Sequence, residues 1–214
     1  IRIEFSSGYV AKLVSLEPSL GELMVPDGRR HWSINQGHRG VFKQRALQIG
    51  WPVEDIAGFI PGERLEIELR DSMISNGKPF APRPYQVEAA ERWWADGRPS
   101  GGCGVVVLAC GAGKTIVAMT AMSMVKTKTL ILATNQAAVA QWRRELIDKT
   151  SLRPDEVGMY TGSTKIIAPV TVATYQILTW RRSKKAEFEH LHLFEDEDWG
   201  LIIYDEVHLL PAPV

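Results

Sequence analysis

A glycine-rich turn between an apolar run and a helical stretch constrains the fold of this chain more than any other feature of its sequence. The run Val105–Ala109 predicts a strand, and Lys114–Val125 predicts a helix. Between them, Gly111 and Gly113 allow the backbone to turn back, so that successive N–H groups face one anion. The N-terminus of the helix adds positive potential at the same point. The segment therefore predicts a phosphate-binding turn.

The residues after the turn are suited to a nucleotide. Lys114 can reach the β- and γ-phosphates, and the hydroxyl of Thr115 can ligate Mg²⁺. The strict pattern G-x-x-x-x-G-K-[ST] requires glycine where this chain has Leu108, so the match is to a shorter GxGK[ST] core. A surface turn that carries a lysine by chance is the alternative, and the strand–turn–helix context argues against it.

Short apolar runs alternate with helical stretches through the second half of the chain. Further strands are predicted at Thr129–Ala133, Val157–Tyr160, Val170–Ala173 and Leu201–Tyr204, and a further helix at Gln136–Lys149. Such alternation is typical of an α/β fold whose parallel sheet is covered by helices on both faces.

Two adjacent acidic residues follow the last of these strands. Asp205 would hold Mg²⁺ through its water shell, Glu206 would polarise an attacking water, and His208 would hydrogen-bond across the site. An acidic pair after a strand is otherwise a solvated loop. Because open α/β sheets place their ligands at the carboxyl ends of strands, we expect this pair to lie beside the turn at 111–115.

A segment rich in proline and glycine, residues 72–84, predicts a linker between two domains. Residues 1–71 would form a small α+β N-terminal domain, and residues 85–214 a larger α/β lobe. The regular elements predicted for the smaller domain are the strands Tyr9–Val14 and Arg64–Arg70 and the helix Gly40–Ile49.

The formal net charge is zero, with 25 basic and 25 acidic side chains, but charge is segregated along the chain. Basic residues outnumber the single acid Asp27 between positions 27 and 50, and Trp32 and Phe42 lie among them; they are Arg29, Arg30, Arg39, Lys43 and Arg45. Such a stretch suits a phosphate backbone with exposed bases, or it is a solvated helix face with two core aromatics. The basic residues 181–185 before acidic residues 195–198 are either an exposed loop or a nucleic-acid patch.

Composition excludes several classes of protein. Hydrophobic residues make up 45% and charged residues 23%, an ordinary globular mixture. The apolar runs are far shorter than the roughly 20 residues that cross a bilayer. With only Cys103 and Cys110, and no Cys/His cluster, the chain lacks a disulfide framework and a zinc site. Both cysteines are expected to be small buried side chains, and free thiols indicate the cytoplasm.

Together these motifs resemble those of superfamily 2 helicases of the DExH type, and in particular the bacterial and archaeal version of the XPB (xeroderma pigmentosum group B) family. Gly111–Thr115 resembles motif I, and Asp205–His208 resembles motif II. Arg83–Gln86 resembles the adenine-side Gln motif. Leu130–Asn135, with Gln141 and Trp142, resembles motif Ia and its trailing Gln-Trp, and Val172–Gln176 resembles motif Ic. The run Trp199–Pro211 is also similar to that family.

The resemblance implies a RecA-like lobe that binds ATP with Mg²⁺, in a protein that moves 3′-to-5′ along DNA in repair or transcription. Gln86, with Arg83 beside it, would lie at the adenine. The residues that would hold the nucleotide are Cys110, Gly111, Ala112, Gly113, Lys114 and Thr115. Those that would carry catalysis are Lys114, Asp205, Glu206 and His208, with Thr115 and Asp205 on Mg²⁺.

The resemblance also implies contacts to the DNA backbone from short polar residues at strand ends. These are Thr134, Asn135, Thr174 and Tyr175. Asn135 stands just before a helix, so a helix cap is its alternative role. Trp142 lies in the middle of that helix and is expected to pack in the core.

The resemblance finally implies parts beyond these residues. Motif III and a second lobe with an arginine finger would follow Val214, so we expect this chain alone to bind nucleotide weakly and not to unwind DNA. The expected partners are DNA and a nuclease or repair-complex protein, at the nucleoid. Residues 1–71 only loosely resemble the family's damage-recognition-like domain. The alternatives are another superfamily 2 translocase, of the restriction-enzyme or RNA-helicase kind, and a non-catalytic module that binds DNA or protein.

Overall fold

The structure is a computed structural model that describes residues 1–57, 61–98, 101–183, 186, 188–194 and 196–209. Contacts between residues divide the chain into two units, Ile1–Phe59 and Ile60–Val214. Each unit has its own sheet and its own buried core.

The first unit is built on a small antiparallel sheet. Its strands and helices are β1 (Arg2–Glu4), α1 (Gly8–Leu16), α2 (Pro18–Gly21), β2 (Met24–Pro26), β3 (His31–Ile34) and α3 (Arg39–Gln48), with a 3-10 turn at Gln36–His38. β3 lies between β1 and β2 and is antiparallel to both. Leu20, Ile34 and Phe42 are buried in the core between these elements. The arrangement confirms a small α+β fold.

The strand predicted at Tyr9–Val14 is wrong, because these residues lie within helix α1. Ser7 caps the helix, since its hydroxyl accepts a hydrogen bond of 3.2 Å from the backbone N–H of Val10. Ala11 and Val14, three residues apart on one helix face, are the buried positions of α1. The run is too short for its apolar residues alone to distinguish a strand from one helix face.

Helix α3 forms where the sequence predicts it, and its basic side chains have partners within the same unit. Arg39 and Lys43 each donate a hydrogen bond of 2.8 Å to Asp55. These hydrogen bonds lower the pKa of Asp55 to about 2, and the bond from Arg39 has the larger effect. Phe42 is buried in the core of the unit. This part of the basic stretch is therefore a helix face tied down by ion pairs, with a core aromatic.

The second unit contains a parallel sheet of four strands. Its strands and helices are α4 (Pro84–Trp94), α5 (Lys114–Val125), β4 (Thr129–Ala133), α6 (Gln136–Lys149), β5 (Val157–Tyr160), β6 (Val170–Thr174), α7 (Tyr175–Leu178) and β7 (Leu201–Tyr204). Its 3-10 turns are Ala95–Gly97, Pro154–Glu156, Leu191–Phe194 and Val207–Leu209. The strand order is β5-β6-β4-β7, and every neighbouring pair is parallel. The predicted α/β, RecA-like class is confirmed.

The central strand β4 is buried along its whole length. Ile131 and Ala133 belong to the core cluster that α5 and α6 complete, whereas Leu130 and Leu132 belong to a second cluster that includes Tyr175 of α7. Because side chains alternate along a strand, these two clusters lie on opposite faces of the sheet. The sheet is therefore covered on both faces, as predicted.

The strand predicted at Val105–Ala109 is wrong. Within the described part of the chain these residues pair with no strand, and the side chains of Val105 and Val107 are 73% and 85% exposed. A cavity of about 560 Å³ is lined by residues 104–108, α5 and β7. An apolar run becomes a strand only where a neighbouring strand pairs with its backbone, and here the cavity separates the run from β7.

The prediction that both cysteines are buried is also wrong. Cys103 and Cys110 are exposed free thiols. They flank the same run at residues 105–109, which lies outside the sheet, so no packed core surrounds them.

Residues 61–71, which precede α4, pack within the second unit. Leu65 and Ile67 are buried in the core of the parallel-sheet unit. Single β-bridges join Arg64 to Thr127 and Leu69 to Thr150. The buried residues Leu65 and Ile67 alternate with exposed ones as predicted for Arg64–Arg70, but the segment does not form a continuous strand. The division at Phe59 therefore lies upstream of the boundary at 71 that was inferred from composition.

The proline-rich segment 72–84 also makes ordered contacts. The backbone N–H of Ser75 donates to the carboxylate of Asp148 at 2.7 Å, and Ile74 N–H donates to the Asp148 carbonyl at 3.2 Å. Both contacts attach the segment to the C-terminal part of α6. Among the helices that the structure describes, none is long and apolar enough to cross a membrane.

The packing of residues 61–71 gives the first prediction. Ile67→Ala should lower the free energy of unfolding of the parallel-sheet unit by about 2–5 kcal/mol, because Ile67 is fully buried in its core. Urea-induced unfolding followed by circular dichroism measures this. The matched control is Ile74→Ala, at a side chain that is 58% exposed, with an expected change of under about 0.5 kcal/mol. Equal effects of the two substitutions would contradict the assignment of residues 61–71 to this unit.

Candidate nucleotide site and adjoining sheet edge

The glycine-rich turn has the backbone geometry that its sequence predicts. Gly111 and Gly113 have φ angles of +76° and +81°, in the region that favours glycine. A Cβ added to Gly113 would lie 2.4 Å from Nε2 of Gln86, whereas a Cβ added to Gly111 would have no atom within 4 Å. The turn is thus closed against α4 on one side and open at Gly111. Helix α5 begins directly after it, at Lys114.

The first turn of α4 fixes one carbonyl of this loop. Gln86 Nε2 and Tyr85 Oη both donate to the carbonyl oxygen of Ala112, at 2.9 and 2.6 Å. The other polar atom of the Gln86 amide, Oε1, accepts from the backbone N–H of Arg83 at 2.8 Å. Gln86 is 4% exposed. In this structure it therefore shapes the phosphate-binding turn, and its predicted contact with adenine stays a prediction.

The acidic pair lies beside the turn, as expected from the ends of parallel strands. The backbone N–H of Asp205 donates to Leu132 O at 2.9 Å, which continues the pairing of β7 with β4. Glu206 Oε1 lies 2.6 Å from Nζ of Lys114. This hydrogen bond raises the pKa of Lys114 and lowers the pKa of Glu206. Both groups are therefore charged at neutral pH.

Glu206 adopts a backbone conformation that is costly for a side-chain-bearing residue. Its φ angle is +51°, where residues other than glycine are uncommon. Its second carboxylate oxygen lies 3.4 Å from Nδ1 of His208, so the lysine and the histidine contact opposite oxygens. Backbone strain of this kind concentrates at functional sites and costs about 1–3 kcal/mol. His208 therefore contacts its neighbour in sequence, and the hydrogen bond across the site expected of it stays a prediction.

Asp205 is held by two side chains whose role the sequence did not reveal. The indole N–H of Trp142 donates to Asp205 Oδ2 at 2.8 Å, and the hydroxyl of Tyr175 donates to the Asp205 carbonyl at 2.7 Å. Trp142 is packed in the core as predicted, but its polar edge reaches the acidic pair. In the sequence, Trp142 stands out only as part of the Gln141-Trp142 pair after motif Ia. No local pattern indicates its hydrogen bond to Asp205.

Thr115 and Asp205 have the chemistry that Mg²⁺ with a nucleotide requires. Among the described residues there is no cluster of three or more His, Cys, Asp or Glu side chains that could hold a metal alone. Magnesium in nucleotide sites typically uses one or two carboxylates, phosphate oxygens and water. A hydroxyl at the start of α5 and a carboxylate at the end of β7, both beside Lys114, fit that donor set.

The four predicted DNA contacts lie at the same edge of the sheet. Ala133 pairs with Thr174, so Thr134 and Asn135 follow β4 where Tyr175 follows β6. Asn135 is exposed, and its side chain caps α6 by accepting from Ala138 N–H at 2.9 Å. Both roles considered for Asn135 are therefore compatible.

Thr174 and Tyr175 are each only 5% exposed, so the structure buries half of the predicted set. Beside them is a hollow of about 310 Å³. The residues that line the hollow are Asn135, Gln136, Gly162, Thr174, Gln176, Ile177 and Trp180. Trp180 is 46% exposed, and sequence reasoning missed it because a single tryptophan carries no pattern.

The basic loop predicted at 181–185 is described only in part, since Lys184 and Lys185 lie outside the described residues. Arg181 lies over the ring of Phe188, 5.1 Å from its centroid, and Arg182 pairs with Glu189 at 2.5 Å. Its two arginines therefore have local partners.

Comparison with known sequences identifies the relatives of the chain. The family model described as type III restriction enzyme, res subunit, matches residues 79–213. A protein of Kineococcus radiotolerans named DNA 3'-5' helicase XPB is 48% identical over 197 residues, which are 92% of this chain and 32% of that protein. A protein of the same name from Mycobacterium tuberculosis is 50% identical over 181 residues, 85% of this chain and 31% of that protein. The chain spans about a third of the length of these relatives.

A solved structure has the same fold. The UvsW helicase from bacteriophage T4 matches with a TM-score of 0.52 and 18% sequence identity, over 98% of this chain and 74% of that chain. At this identity the likeness shows the fold alone. The family match and the two relatives agree with the resemblance found in the motifs of residues 83–214. The chain therefore belongs to the family of the type III restriction enzyme res subunit, and the two relatives that it matches over most of its own length are of the XPB type.

Proposed function

We propose that this chain supplies the ATP-binding lobe and an N-terminal domain of an ATP-dependent DNA helicase or translocase. The protein would move 3′-to-5′ on DNA in repair or transcription, at the nucleoid, with a nuclease or repair-complex protein as a further partner. Identities of 48% and 50% to proteins named DNA 3'-5' helicase XPB support this function over that of other translocases or a non-catalytic module. The first unit would act as the damage-recognition-like domain.

One observation carries the proposal: Lys114 of the turn and Glu206 of the acidic pair meet at 2.6 Å. The two motifs are far apart in sequence, and the parallel pairing of β7 with β4 brings the acidic pair to the carboxyl edge of the sheet. Phosphoryl transfer requires a phosphate cradle, a metal-holding carboxylate and a group that orients water. The turn, Asp205 and Glu206 would supply these three parts, and their closeness supports the proposal.

The turn would bind the phosphates of ATP. Backbone N–H groups at the start of α5 would face phosphate oxygens, and Lys114 would exchange the Glu206 carboxylate for a phosphate oxygen. Thr115 and Asp205 would hold Mg²⁺, which neutralises phosphate charge when bound. Arg83 and Gln86 are at the start of α4, on the side of the turn proposed for the adenine.

Lys114 also controls how basic Glu206 is. The ion pair keeps the pKa of Glu206 below its ordinary value, which makes the carboxylate a weak base. When Lys114 turns to a phosphate, the pKa of Glu206 rises and the carboxylate becomes a better acceptor for a proton of the attacking water. Binding of the nucleotide would therefore activate the base that hydrolysis needs.

DNA would lie across the sheet edge at the ends of β4 and β6. Thr134 and the exposed Asn135 would contact phosphates directly. The buried Thr174 and Tyr175 would pack beneath these two residues and hold them in place. Trp180, beside the hollow, offers a ring on which a base can stack.

The role of Lys114 can be tested in the complete protein that carries these residues. Lys114→Ala should lower DNA-stimulated ATP hydrolysis by at least about 100-fold, because a cation on the transferred phosphate is removed. Steady-state release of phosphate with single-stranded DNA measures the loss.

Lys126→Ala is the matched control, since Lys126 caps the other end of α5 and pairs with Glu68. It should leave hydrolysis within about twofold of the wild type, as expected for an exposed ion pair. A Lys114→Ala protein as active as the control would refute the proposed site.

The DNA surface can be tested without loss of the helix cap. Asn135→Asp keeps the side-chain acceptor that α6 requires, because Asn and Asp are about equally good caps, but it places a negative charge against phosphates. DNA affinity should fall about tenfold, equivalent to ~1.4 kcal/mol, with unchanged thermal stability.

Fluorescence anisotropy with labelled single-stranded DNA at fixed salt measures this affinity. Asn76→Asp makes the same charge change at an exposed turn on α6's far end, where Asn76 accepts from Lys78 N–H. Its DNA affinity should match the wild type. Equal losses for both variants would indicate a general charge effect and would contradict the proposed surface.

A further inference from the structure

The carboxylate of Asp205 has its two oxygens in different surroundings. Oδ2 accepts the hydrogen bond from Trp142 Nε1 at 2.8 Å. An indole N–H can only donate, so Oδ2 is the acceptor in this contact, and Oδ1 takes no part in it. Asp205 directly precedes Glu206, whose Oε1 lies 2.6 Å from Nζ of Lys114, so the aspartate stands beside the phosphate-binding turn.

The donor itself is held in place by packing. Trp142 is 4% exposed and lies in the core cluster with Val139 and Leu146 of the same helix. A ring packed in this way cannot rotate freely, so its N–H direction is fixed before any ligand arrives. The second donor, the hydroxyl of Tyr175, binds the backbone carbonyl of the same aspartate. Tyr175 is also buried.

Both donors belong to the segments proposed to lie against DNA. Asn135 caps α6 at the sheet edge, and Trp142 is two turns further along, about 10 Å from it. Tyr175 begins α7, and its neighbour Gln176 donates through Nε2 to Thr134 O at 2.6 Å. The segments that would contact DNA are thus connected to Asp205 by hydrogen bonds.

We infer that Trp142 and Tyr175 are positioning residues that orient one Asp205 oxygen towards nucleotide-bound Mg²⁺. The orientation of that oxygen then depends on the positions of α6 and α7. The inference rests on the proposed function. Movement of α6 or α7 on contact with DNA changes the direction of the indole and hydroxyl donors, and so the strength with which Asp205 holds the metal. Both residues would act through Asp205, by the hydrogen bonds that they donate to it.

The test is the dependence of nucleotide binding on Mg²⁺ in the complete protein. Trp142→Phe keeps an aromatic ring in the core and removes the N–H. Binding of a fluorescent, non-hydrolysable ATP analogue is titrated without DNA. The Mg²⁺ concentration for half-maximal binding should rise about tenfold, because a hydrogen bond to a charged group is lost. Affinity for the analogue in EDTA should stay within about twofold.

Trp199→Phe is the matched control, because its indole N–H donates to the Leu193 carbonyl at 2.7 Å, away from the acidic pair. It should lose stability like Trp142→Phe but keep the wild-type Mg²⁺ dependence. If both variants have the wild-type dependence, Trp142 is only structural and the inference fails.

Tyr175→Phe is a second variant, which removes one hydroxyl and therefore remains testable if Trp142→Phe does not fold. It should raise the half-maximal Mg²⁺ concentration severalfold. Single-stranded DNA should also change the affinity for the Mg²⁺–analogue complex less in this variant than in the wild type. An unchanged Mg²⁺ dependence or an unchanged DNA effect would overturn the inference. A wild-type protein that binds no analogue at all would instead overturn the proposed function, and the inference with it.

Discussion

The parallel pairing of β4 with both β6 and β7 is the constraint on which the site depends. It brings the carboxyl ends of three strands to one edge, where β4 leads to Thr134, β6 to Tyr175 and β7 to Asp205. Burial supports the pairing, because all five residues of β4 are buried and the four from Leu130 to Ala133 alternate between two core clusters. A register shift of one residue would exchange those faces and move every polar residue at the edge away from its partners.

The ion pair at the candidate site forms because Glu206 lies at this edge of the sheet, beside Lys114. Lys114 and Glu206 stabilise each other's charged form, and Glu206 is held at a positive φ angle that most residues avoid. A phosphate that binds Lys114 would break its ion pair with Glu206. The Glu206 carboxylate would then be available as a base when ATP is bound. In the proposed function, this ion pair would keep Glu206 a weaker base until a nucleotide phosphate takes its place at Lys114.

Much of the second unit could be predicted from its sequence, because its signals are local. The runs that became β4 and β7 are apolar and bounded by polar residues, and α5 follows two glycines that fix its start. The same reasoning failed at residues 105–109, since whether an apolar run forms a strand depends on a neighbour that the run itself does not specify. It failed at α1, where a short run fits both periods and the cap at Ser7 decided the outcome.

Prediction of the site shows the same limit. Lys114 and Asp205 could be found because each belongs to a motif with fixed spacing. The contacts of Trp142 and Tyr175 to Asp205 could not, because each joins elements that only the folded sheet brings together. Burial of Gln86 against Ala112 was missed for the same reason, although its position at the start of α4 was visible.

The most direct test of the central claim is a crystal structure of this chain with Mg²⁺ and a non-hydrolysable ATP analogue. The account predicts the phosphates in the turn at 111–115, with Lys114 Nζ moved from Glu206 Oε1, now 2.6 Å away, to a phosphate oxygen. Mg²⁺ should lie between the phosphates, Thr115 and Asp205. A nucleotide bound elsewhere, with the pair of Lys114 and Glu206 intact, would contradict it.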